Sequence, residues 1–285
     1  MIKVFDKVHE FIKWRDTVSE SVGLVPTMGN LHQGHLSLVE KSLKENQYTV
    51  VTIFVNAKQF SPGEGFDKYP RTLENDIEML SKLLSLDRDI YILAPQDDSE
   101  IYPKGFDSQI TVQHLMTKVL CGAFRDGHFD GVTTVVYRLL ELSKPKTAYF
   151  GEKDFQQLII IKQMVKEQNL KVIISSLPIV RDRSGLALSS RNQYLSFKDK
   201  EDALKLPNSL LALSEELDKT NFQKVIAMRD QMIKSDSRWQ YLEILDSNDL
   251  STPSGNTKQF IIAGAYILGK TRIIDNKMKK NSSYL

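Results

Sequence analysis

The sequence predicts a two-domain protein in which a doubly wound α/β domain precedes a smaller α+β domain. Its 285 residues exceed the usual size of one compact domain. The first part alternates short runs of β-branched residues with longer helical patterns, which is typical of a parallel sheet covered by helices. Further along, this alternation stops, and loops rich in Ser, Asp and Arg lead into helical patterns and then into β-like runs. We therefore predict a first domain at residues 1–178 and a second domain at residues 179–285.

The individual elements are predicted from periodicity and from the content of β-branched residues. In the last helix of the first domain, for example, Leu158, Ile161 and Val165 recur on one helical face. The strands predicted in the first domain are residues 23–26, 49–55, 89–93 and 147–150, and the helices are residues 34–45, 73–86, 132–143 and 155–168. In the second domain, helices are predicted at residues 199–217 and 221–233, and strands at residues 239–245, 259–268 and 272–275.

Composition and charge favour an ordinary globular protein of the cytoplasm. With 41% hydrophobic and 26% charged residues, the chain belongs to neither the disordered nor the fibrous class. The formal net charge is only +2, from 38 basic and 36 acidic side chains that are interspersed, so neither nucleic acid nor a membrane is predicted as a partner. The single cysteine, Cys121, cannot form an internal disulfide, and residues 1–14 lack the apolar region of a signal peptide. The longest apolar stretches, residues 50–55 and 260–268, are far shorter than the roughly 20 residues of a membrane-spanning helix.

The first candidate site is the motif PTMGNLHQGH at residues 26–35, which follows a predicted strand and opens a predicted helix. An open α/β sheet binds its ligand at such a position. The turn should point free backbone N–H groups at a phosphate, and Gly29 and Gly34 allow a ligand to approach the backbone closely. His32 and His35 can then contact phosphate oxygens as these gain charge in a transition state. Taken alone, the motif is more typical of a turn with two surface histidines, and a metal pair is not favoured because no third ligand lies nearby.

The second candidate site is FGEKDFQQ at residues 150–157, again a strand end that leads into a helix. Lys153 would contact a phosphate, and Glu152 or Asp154 would hold a ribose hydroxyl or a metal-bound water. A structural interpretation is equally available, because Asp154 and Gln157 fit the N-cap and N3 positions of a capping box. The two interpretations are compatible if Asp154 caps the helix and Gln157 turns inward.

The third candidate site is LALSSRN at residues 186–192, near the start of the second domain. Two hydroxyls and a guanidinium, from Ser189, Ser190 and Arg191, would grip a phosphate through several hydrogen bonds. A loop at a domain junction can also close over a cleft. Taken alone, the stretch is more typical of a Ser-rich linker in which Arg191 pairs with a carboxylate.

Two further motifs are suited to a small polar substrate. FVNAKQF at residues 54–60 follows a predicted strand and carries Gln59, whose amide both donates and accepts hydrogen bonds, beside an aromatic ring. RDGHFDGV at residues 125–132 precedes a predicted helix and places His128 between two glycines. The alternatives are a solvated loop amide for Gln59 and a turn that starts a helix for His128.

Together these motifs resemble those of the pantothenate synthetase family. With YPRT at residues 69–72 and RIIDN at residues 272–276, they occur in the family's order and cover residues 25–276. Each motif is weak to moderate by itself, but the set is specific. The resemblance implies a Rossmann-like nucleotidyltransferase domain of the HxGH type with a smaller α+β C-terminal lid domain, usually in a homodimer formed through the first domain. It also implies an AMP-forming ligase: (R)-pantoate and ATP give pantoyl adenylate and pyrophosphate, and β-alanine then displaces AMP to give pantothenate.

The resemblance further implies a role for each matching residue. His35 would protonate or stabilise the leaving pyrophosphate with His32 beside it, and Gln59 and Gln157 would hold pantoate. Gln59 would also border the path of β-alanine. The ATP site would comprise Met28, Gly29, Asn30, Leu31, His32, Gln33, Gly34, His35, Gly151, Glu152, Lys153, Asp154, the backbone at Val180, Leu188, Ser189, Ser190 and Arg191. Those on the phosphates would be Lys153, Ser189, Ser190 and Arg191.

Mg²⁺ would be held mainly by the ATP phosphates through water, with Asp76 and Asp154 as outer-sphere partners. Three positions depart from the family's pattern, and one of them is Asp126, which stands where the family usually has Pro. Ala57 stands where the family usually has Pro, which frees one backbone angle and restores an N–H group. Cys121 stands where the family usually has Glu, and this loss of an acidic partner predicts a weaker hold on Arg125. These changes are expected to affect efficiency, not the class of reaction.

Two other functions stay open on the sequence alone. A different nucleotidyltransferase that adenylates a small phosphorylated metabolite would need extra basic groups, whereas the stretches around Gln59 and Gln157 offer neutral amides. A nucleotide-binding sensor without catalysis would not need His35, Lys153 and Arg191 together.

Overall fold

The computed structural model describes residues 1–61, 64–84, 88–106 and 108–281. These residues form two compact units. The first unit comprises Met1–Val112, Arg125–Glu152 and Ile160–Pro178, and the second comprises Gln113–Phe124, Lys153–Ile159 and the described residues from Ile179 onward. The assignment of separate functional roles to residues 1–178 and 179–285 stays a prediction.

The first unit is built on a parallel sheet of six strands in the order β1-β4-β3-β2-β5-β6. The strands are β1 (Ile2–Phe5), β2 (Val22–Thr27), β3 (Tyr48–Ile53), β4 (Asp89–Leu93), β5 (Thr147–Gly151) and β6 (Ile173–Leu177). The helices that accompany them along the chain are α1 (Val8–Asp16), α2 (Gln33–Glu45), α3 (Leu73–Ser81), α4 (Asp98–Ile101), α5 (His128–Ser143) and α6 (Phe155–Glu167). Leu24, Val25, Val50 and Val51 on the central strands are fully buried, as expected where helices cover both faces of a parallel sheet.

The strand order reverses at the centre of this sheet. From β2 the chain adds β3 and then β4 on one side, and it later places β5 on the other side of β2. β2 and β5 are therefore neighbours at the switch point, where ligands bind outside the carboxyl ends of the strands. Thr27 and Gly151 end these two strands.

The second unit contains an antiparallel sheet in the order β7-β8-β9, formed by β7 (Trp239–Asp246), β8 (Gln259–Leu268) and β9 (Thr271–Lys280). Its helices are α7 (Phe197–Ala203), α8 (Lys205–Glu216) and α9 (Phe222–Ser235). Gly264 lies where α8 packs on β8, and a Cβ atom there would come within 2.7 Å of Leu206 Cδ1. Close packing of the helix on the sheet therefore requires glycine at this position.

The predicted fold class is confirmed, and the structure changes the bounds of several elements. The helical pattern at residues 199–217 forms two helices that meet at Leu204, and the last strand extends to Lys280. Helix α3 ends at Ser81, and residues 85 and 86 of its predicted span lie outside the described residues. Two strands were not predicted: β1, which has only four residues, and β6, whose residues Ser175 and Ser176 break the apolar pattern. Among the described helices, none combines the length and the apolar character needed to cross a membrane.

Candidate active site

The loop between β2 and α2 adopts a conformation that requires glycine at one position. Gly29 has a φ of 80° and Asn30 has a φ of 51°, so both lie in the left-handed region. A Cβ atom on Gly29 would approach Ile53 Cγ2 to 2.9 Å and the carboxylate of Asp76 to 3.0 Å. Backbone conformation and space thus both exclude a larger residue.

Asp76 on α3 holds this loop through hydrogen bonds to its backbone. Its Oδ2 atom accepts the Asn30 N–H at 2.9 Å, and its Oδ1 atom accepts the Leu31 N–H at 2.8 Å. The Thr72 hydroxyl donates a third hydrogen bond at 3.2 Å, and the Asp76 side chain is fully buried. Burial raises the pKa of the Asp76 carboxyl above its usual value, although the three hydrogen bonds act in the opposite direction. This carboxylate is therefore an internal support of the loop.

The two histidines of the motif have a defined tautomer. His32 is the N-cap of α2, and its Nδ1 atom accepts the Gly34 N–H at 3.1 Å. His35 Nδ1 accepts the His32 N–H at 3.3 Å, and the two ring centroids are 4.1 Å apart. A ring nitrogen that accepts a hydrogen bond carries no proton, so each neutral imidazole has its proton on Nε2. Nε2–H is then the group that each ring offers to an acceptor.

For four backbone N–H groups of the turn, this arrangement corrects the expectation that they are free. The Gly29 N–H donates to Thr27 Oγ1 at 3.1 Å, those of Asn30 and Leu31 donate to Asp76, and that of Gly34 donates to His32. These groups are already paired inside the protein. Within this motif, we therefore expect the imidazole rings to donate the hydrogen bonds to a ligand.

Gln59 is buried, which excludes the alternative of a solvated loop amide. It ends a 3-10 helix, Ala57–Gln59, that follows β3. Its Oε1 atom accepts from Asn56 Nδ2 at 3.2 Å, and its Nε2 atom donates to Met28 Sδ at 3.1 Å. Two residues predicted to hold different substrates, Gln59 and Met28, are thus in direct contact within the first unit.

The start of α5 packs against this 3-10 helix. Gly127 is the N-cap of α5 with a φ of 70°, which confirms that the motif forms a turn that starts a helix. A Cβ atom on Gly131 would lie 2.2 Å from the carbonyl oxygen of Lys58. Only glycine at this position lets α5 approach the backbone next to Gln59 so closely.

Arg125 is held by Glu64 and not by the position that Cys121 occupies. Its Nε and Nη2 atoms donate to the two Glu64 carboxylate oxygens at 2.6 and 2.8 Å. The buried Cys121 Sγ instead lies 3.2 Å from Tyr241 Oη and accepts from Arg272 Nη2 at 3.3 Å. The expectation that the cysteine weakens the hold on Arg125 is therefore wrong.

At the end of β5, the chain turns through a 3-10 helix, Glu152–Asp154, into α6. Within the first unit, Glu152 Oε1 accepts from the Ser176 hydroxyl at 2.9 Å. Within the second unit, the Lys153 ammonium lies 3.6 Å from the Asp154 carboxylate, and the Lys153 carbonyl accepts from Asn276 Nδ2 at 2.9 Å. The backbone of Lys153 is thus held by a residue of β9.

Backbone hydrogen bonds close a turn within residues 180–192. The Leu188 N–H donates to the Val180 carbonyl at 2.9 Å, so two predicted nucleotide-binding residues are joined through their backbones. Ser189 Oγ accepts the Arg191 N–H at 3.2 Å and begins a 3-10 helix, Ser190–Tyr194. At the base of the turn, the Arg181 guanidinium makes hydrogen bonds of 2.6 and 2.9 Å to the buried carboxylate of Asp275.

Gln157 lies half-buried in the first turn of α6, and its neighbour Gln156 is the buried amide of this helix. Gln156 Nε2 donates to the carbonyls of Met116 and Val119 at 2.8 and 2.7 Å, and its Oε1 accepts the Cys121 N–H at 2.9 Å. Gln156 and Glu64 could not be predicted as buried partners, because neither stands in a local sequence pattern that distinguishes it from a surface side chain.

The predicted site residues are divided between the two units. Met28, His32, His35 and Gln59 belong to the first, together with Gly151 and Glu152 at the end of β5 and in the turn that follows. The second contains Lys153, Asp154, Gln157, Val180 and Leu188 through Arg191. Within each unit the structure brings together residues that are far apart in the chain, as the contacts of Gln59 with Met28 and of Lys153 with Asn276 illustrate.

Comparison with known proteins identifies the family. The model of the pantoate–β-alanine ligase family matches residues 1–278. The chain belongs to this family. It is 41% identical to the pantothenate synthetase of Acetivibrio thermocellus over 281 residues, which cover 97% of this chain and 98% of that protein. It is 44% identical to the pantothenate synthetase of a Sulfurihydrogenibium species over 262 residues, 90% of this chain and 91% of that one.

Solved structures of ligases of this family have the same fold. The pantoate–β-alanine ligase (pantothenate synthetase) of Thermus thermophilus aligns with a TM-score of 0.86 and 37% identity over the full length of both chains. The ligase of Francisella tularensis, solved in complex with "beta-gamma ATP" and β-alanine, aligns with a TM-score of 0.77 and 35% identity over 98% of each chain.

If Asp76 supports the loop of this ligase, its substitution should destabilise the protein. Asp76→Asn should lower the free energy of unfolding by about 1–3 kcal/mol, because the amide cannot accept both loop N–H groups. Glu78→Gln is the matched control, since this substitution also replaces a carboxylate on α3 with an amide, but the Glu78 side chain is exposed. Urea denaturation measures the difference, and hydrogen exchange at the Asn30 and Leu31 amides should accelerate only in the Asp76 variant. Equal unfolding free energies for the two variants would contradict the support.

Proposed function

We propose that the protein catalyses the ATP-dependent condensation of (R)-pantoate with β-alanine through a pantoyl adenylate, releasing AMP and pyrophosphate. The observation that carries this proposal is the pair His32 and His35, held at the start of α2 next to the central strand with a proton on each Nε2. Family membership supports the same reaction, and the Francisella tularensis ligase was solved with two of the corresponding ligands.

The chemistry explains why such a site needs donors more than a nucleophile. A carboxylate is inert toward an amine until one of its oxygens becomes a good leaving group. In the first step a pantoate oxygen bonds to the α-phosphorus of ATP, and the bond from that phosphorus to the pyrophosphate oxygen breaks. In the second step the amine of β-alanine bonds to the acyl carbon, loses a proton, and AMP leaves with the electron pair. Positioning and stabilisation of charge on the leaving groups supply the catalysis.

His35 and His32 are proposed to act on the first step. The Nε2–H of His35 would donate to the pyrophosphate as negative charge builds on it, with His32 beside it. The Nδ1 contacts orient both rings before any ligand binds, so little reorganisation is needed at the moment of reaction. The proposed nucleotide-binding segment of this loop runs through residues 28–35, with Asp76 supporting its backbone.

We propose further nucleotide-binding residues at the end of β5, in the turn that follows it, and in the second unit. Gly151, Glu152 and Asp154 would border the nucleotide, together with the backbone at Val180 and Leu188. Lys153, Ser189, Ser190 and Arg191 would contact its phosphates. This assignment is supported by the restraints on both segments, since Asn276 holds the carbonyl of Lys153 and the Val180–Leu188 hydrogen bond closes the turn.

Gln59 and Gln157 are proposed to bind pantoate, and Gln59 is proposed also to border the path of β-alanine. Neutral amides suit the hydroxyl and carboxylate oxygens of such a substrate. The burial of Gln59 against Met28 supports this, because hydrogen bonds made in a desolvated site discriminate strongly between ligands.

Mg²⁺ is proposed to enter with ATP as part of that substrate, bound mainly to its phosphates. Among the described residues, no three His, Cys, Asp or Glu side chains converge on a point where they would hold a metal ion. The oxygens of Asp76 already accept loop N–H groups, so Asp154, which is exposed, is the better outer-sphere candidate. We further propose a homodimer formed through the first domain and a cytoplasmic location, where ATP is available and a free thiol such as Cys121 stays reduced.

The order of the two steps can be tested by isotope exchange. Pantoate alone should support exchange of labelled pyrophosphate into ATP, because the first step is reversible without the amine. His35→Ala should reduce this exchange by roughly 10²- to 10³-fold, the usual loss when one preorganised donor is removed. His114→Ala is the control, since exposed His114 also accepts a backbone N–H through Nδ1. Exchange that strictly requires β-alanine, or release of ADP instead of AMP, would overturn the adenylate mechanism.

The role of Gln157 can be separated from a purely structural one. Gln157→Ala should raise the KM for pantoate more than that for ATP, by an amount that corresponds to roughly 1–3 kcal/mol for a lost buried hydrogen bond. Gln163→Ala on the same helix provides the control, because the Gln163 amide donates a hydrogen bond to the exposed Glu167. If Gln157 only caps α6, its variant will lose thermal stability while the KM for pantoate stays unchanged.

A further inference from the structure

His128 lies between two groups whose hydrogen-bonding roles are fixed. Its Nδ1 atom is 2.7 Å from the carbonyl oxygen of Gln59, which can only accept. Its Nε2 atom is 2.7 Å from Nη1 of Arg125, which can only donate. Nδ1 therefore carries the ring proton and Nε2 carries a lone pair. An imidazolium would direct a second N–H at the guanidinium, so this geometry selects the neutral ring.

Arg125 is in turn fixed by Glu64. Two parallel hydrogen bonds join the guanidinium to the carboxylate, and the Ser61 N–H donates to the same carboxylate at 3.1 Å. Burial by itself would raise the pKa of Glu64, but the hydrogen bonds from Arg125 and Ser61 outweigh it and lower the pKa below its usual value. Both charged groups of this ion pair are largely buried in the first unit. The carboxylate, the guanidinium and the imidazole thus form a chain of hydrogen bonds that ends on the Gln59 carbonyl.

The side chain of Gln59 is oriented independently through Asn56. The Lys58 N–H can only donate, and it points at Asn56 Oδ1, while the Gly131 carbonyl can only accept, and it receives Asn56 Nδ2. The amide of Asn56 is therefore oriented unambiguously, and its Nδ2 donates to Gln59 Oε1. The Tyr102 hydroxyl donates to Asn56 Oδ1 at 2.9 Å and strengthens the same orientation. It follows that Gln59 directs its NH2 group, and not its oxygen, toward Met28.

We propose that His128, kept neutral by the Arg125 guanidinium that Glu64 holds in place, is a positioning residue that holds the Gln59 backbone so that the Gln59 NH2 group faces the hydroxy acid. The proposal rests on the proposed function insofar as it names that ligand. Without the His128 bond, the Gln59 carbonyl would keep the longer hydrogen bond of 3.4 Å from Arg125 Nη2, and the 3-10 helix would be held from the Asn56 side and by the contact with Gly131. A shift of the Gln59 backbone would then move its NH2 group away from the carboxylate oxygens of the substrate.

Two substitutions at one position distinguish positioning from general stability. His128→Leu removes both ring nitrogens at similar volume, whereas His128→Asn keeps a donor where Nδ1 stands and loses only the acceptor for Arg125. His128→Leu should raise the KM for pantoate by about 5- to 30-fold, the range for one lost buried hydrogen bond, and leave the KM for ATP within about twofold. His128→Asn should restore the KM for pantoate to within about threefold of the unsubstituted protein.

Spectra of the protein without substrates test the geometry separately from the reaction. The ¹⁵N signals of His128 should show a protonated Nδ1 and an unprotonated Nε2 near neutral pH. The side-chain NH2 signals of Gln59 should move in His128→Leu and stay in place in His128→Asn. An Nε2–H tautomer, or unmoved Gln59 signals in the leucine variant, would overturn the proposal whether or not the leucine variant retains activity.

Kinetics and spectra also separate the two proposals from each other. If the unsubstituted protein releases no AMP from ATP, pantoate and β-alanine, the proposed function fails, and the Gln59 signals still decide whether His128 positions that residue. If the protein is active but His128→Leu raises both KM values equally, or neither, the positioning role fails while the proposed function stands.

Discussion

The buried carboxylate of Asp76 is the interaction on which the candidate active site depends. It lies on α3, yet both of its oxygens bind N–H groups of the loop between β2 and α2. These bonds hold Asn30 in the left-handed region and set the point at which α2 begins. Because His32 and His35 follow directly, the direction of their rings depends on a residue more than 40 positions away in the chain.

One physical rule orients every ambivalent side chain of the first unit that the proposed function uses. Imidazoles and carboxamides can each present a donor or an acceptor, and their role is set by what they face. Here the orienting group is a backbone N–H or carbonyl, which has a single role and acts directly on the histidines and through Asn56 on Gln59. The Gly34 and His32 N–H groups set the tautomers of the two motif histidines, and the Gln59 carbonyl sets that of His128. The site is thereby oriented without any ligand, which reduces the free energy that binding must spend on ordering.

Cys121, which departs from the family's pattern, makes its contacts within the second unit. Cys121 packs against Tyr241 and Arg272, and its N–H is held by Gln156. Burial is the main cause that raises the pKa of the Tyr241 hydroxyl well above its usual value, so this phenol stays protonated beside the thiol. The thiol thus contacts Arg272, while Arg125 has Glu64 as its partner.

The amino-acid sequence by itself determined the fold class, most strands and helices, and the positions of the motifs at strand ends. These properties depend on short-range patterns: the spacing of apolar side chains, and glycines where the backbone turns. The sequence could not show that the loop N–H groups are paired, that Gln59 is buried, or that Glu64 and not residue 121 holds Arg125. The partners of Asn30, Leu31, Gln59 and Arg125 lie 30 to 70 positions away, such as Met28 for Gln59 or Glu64 for Arg125. Only the strand order and the packing of α3 and α5 bring such partners within hydrogen-bonding distance, and no local pattern encodes that distance.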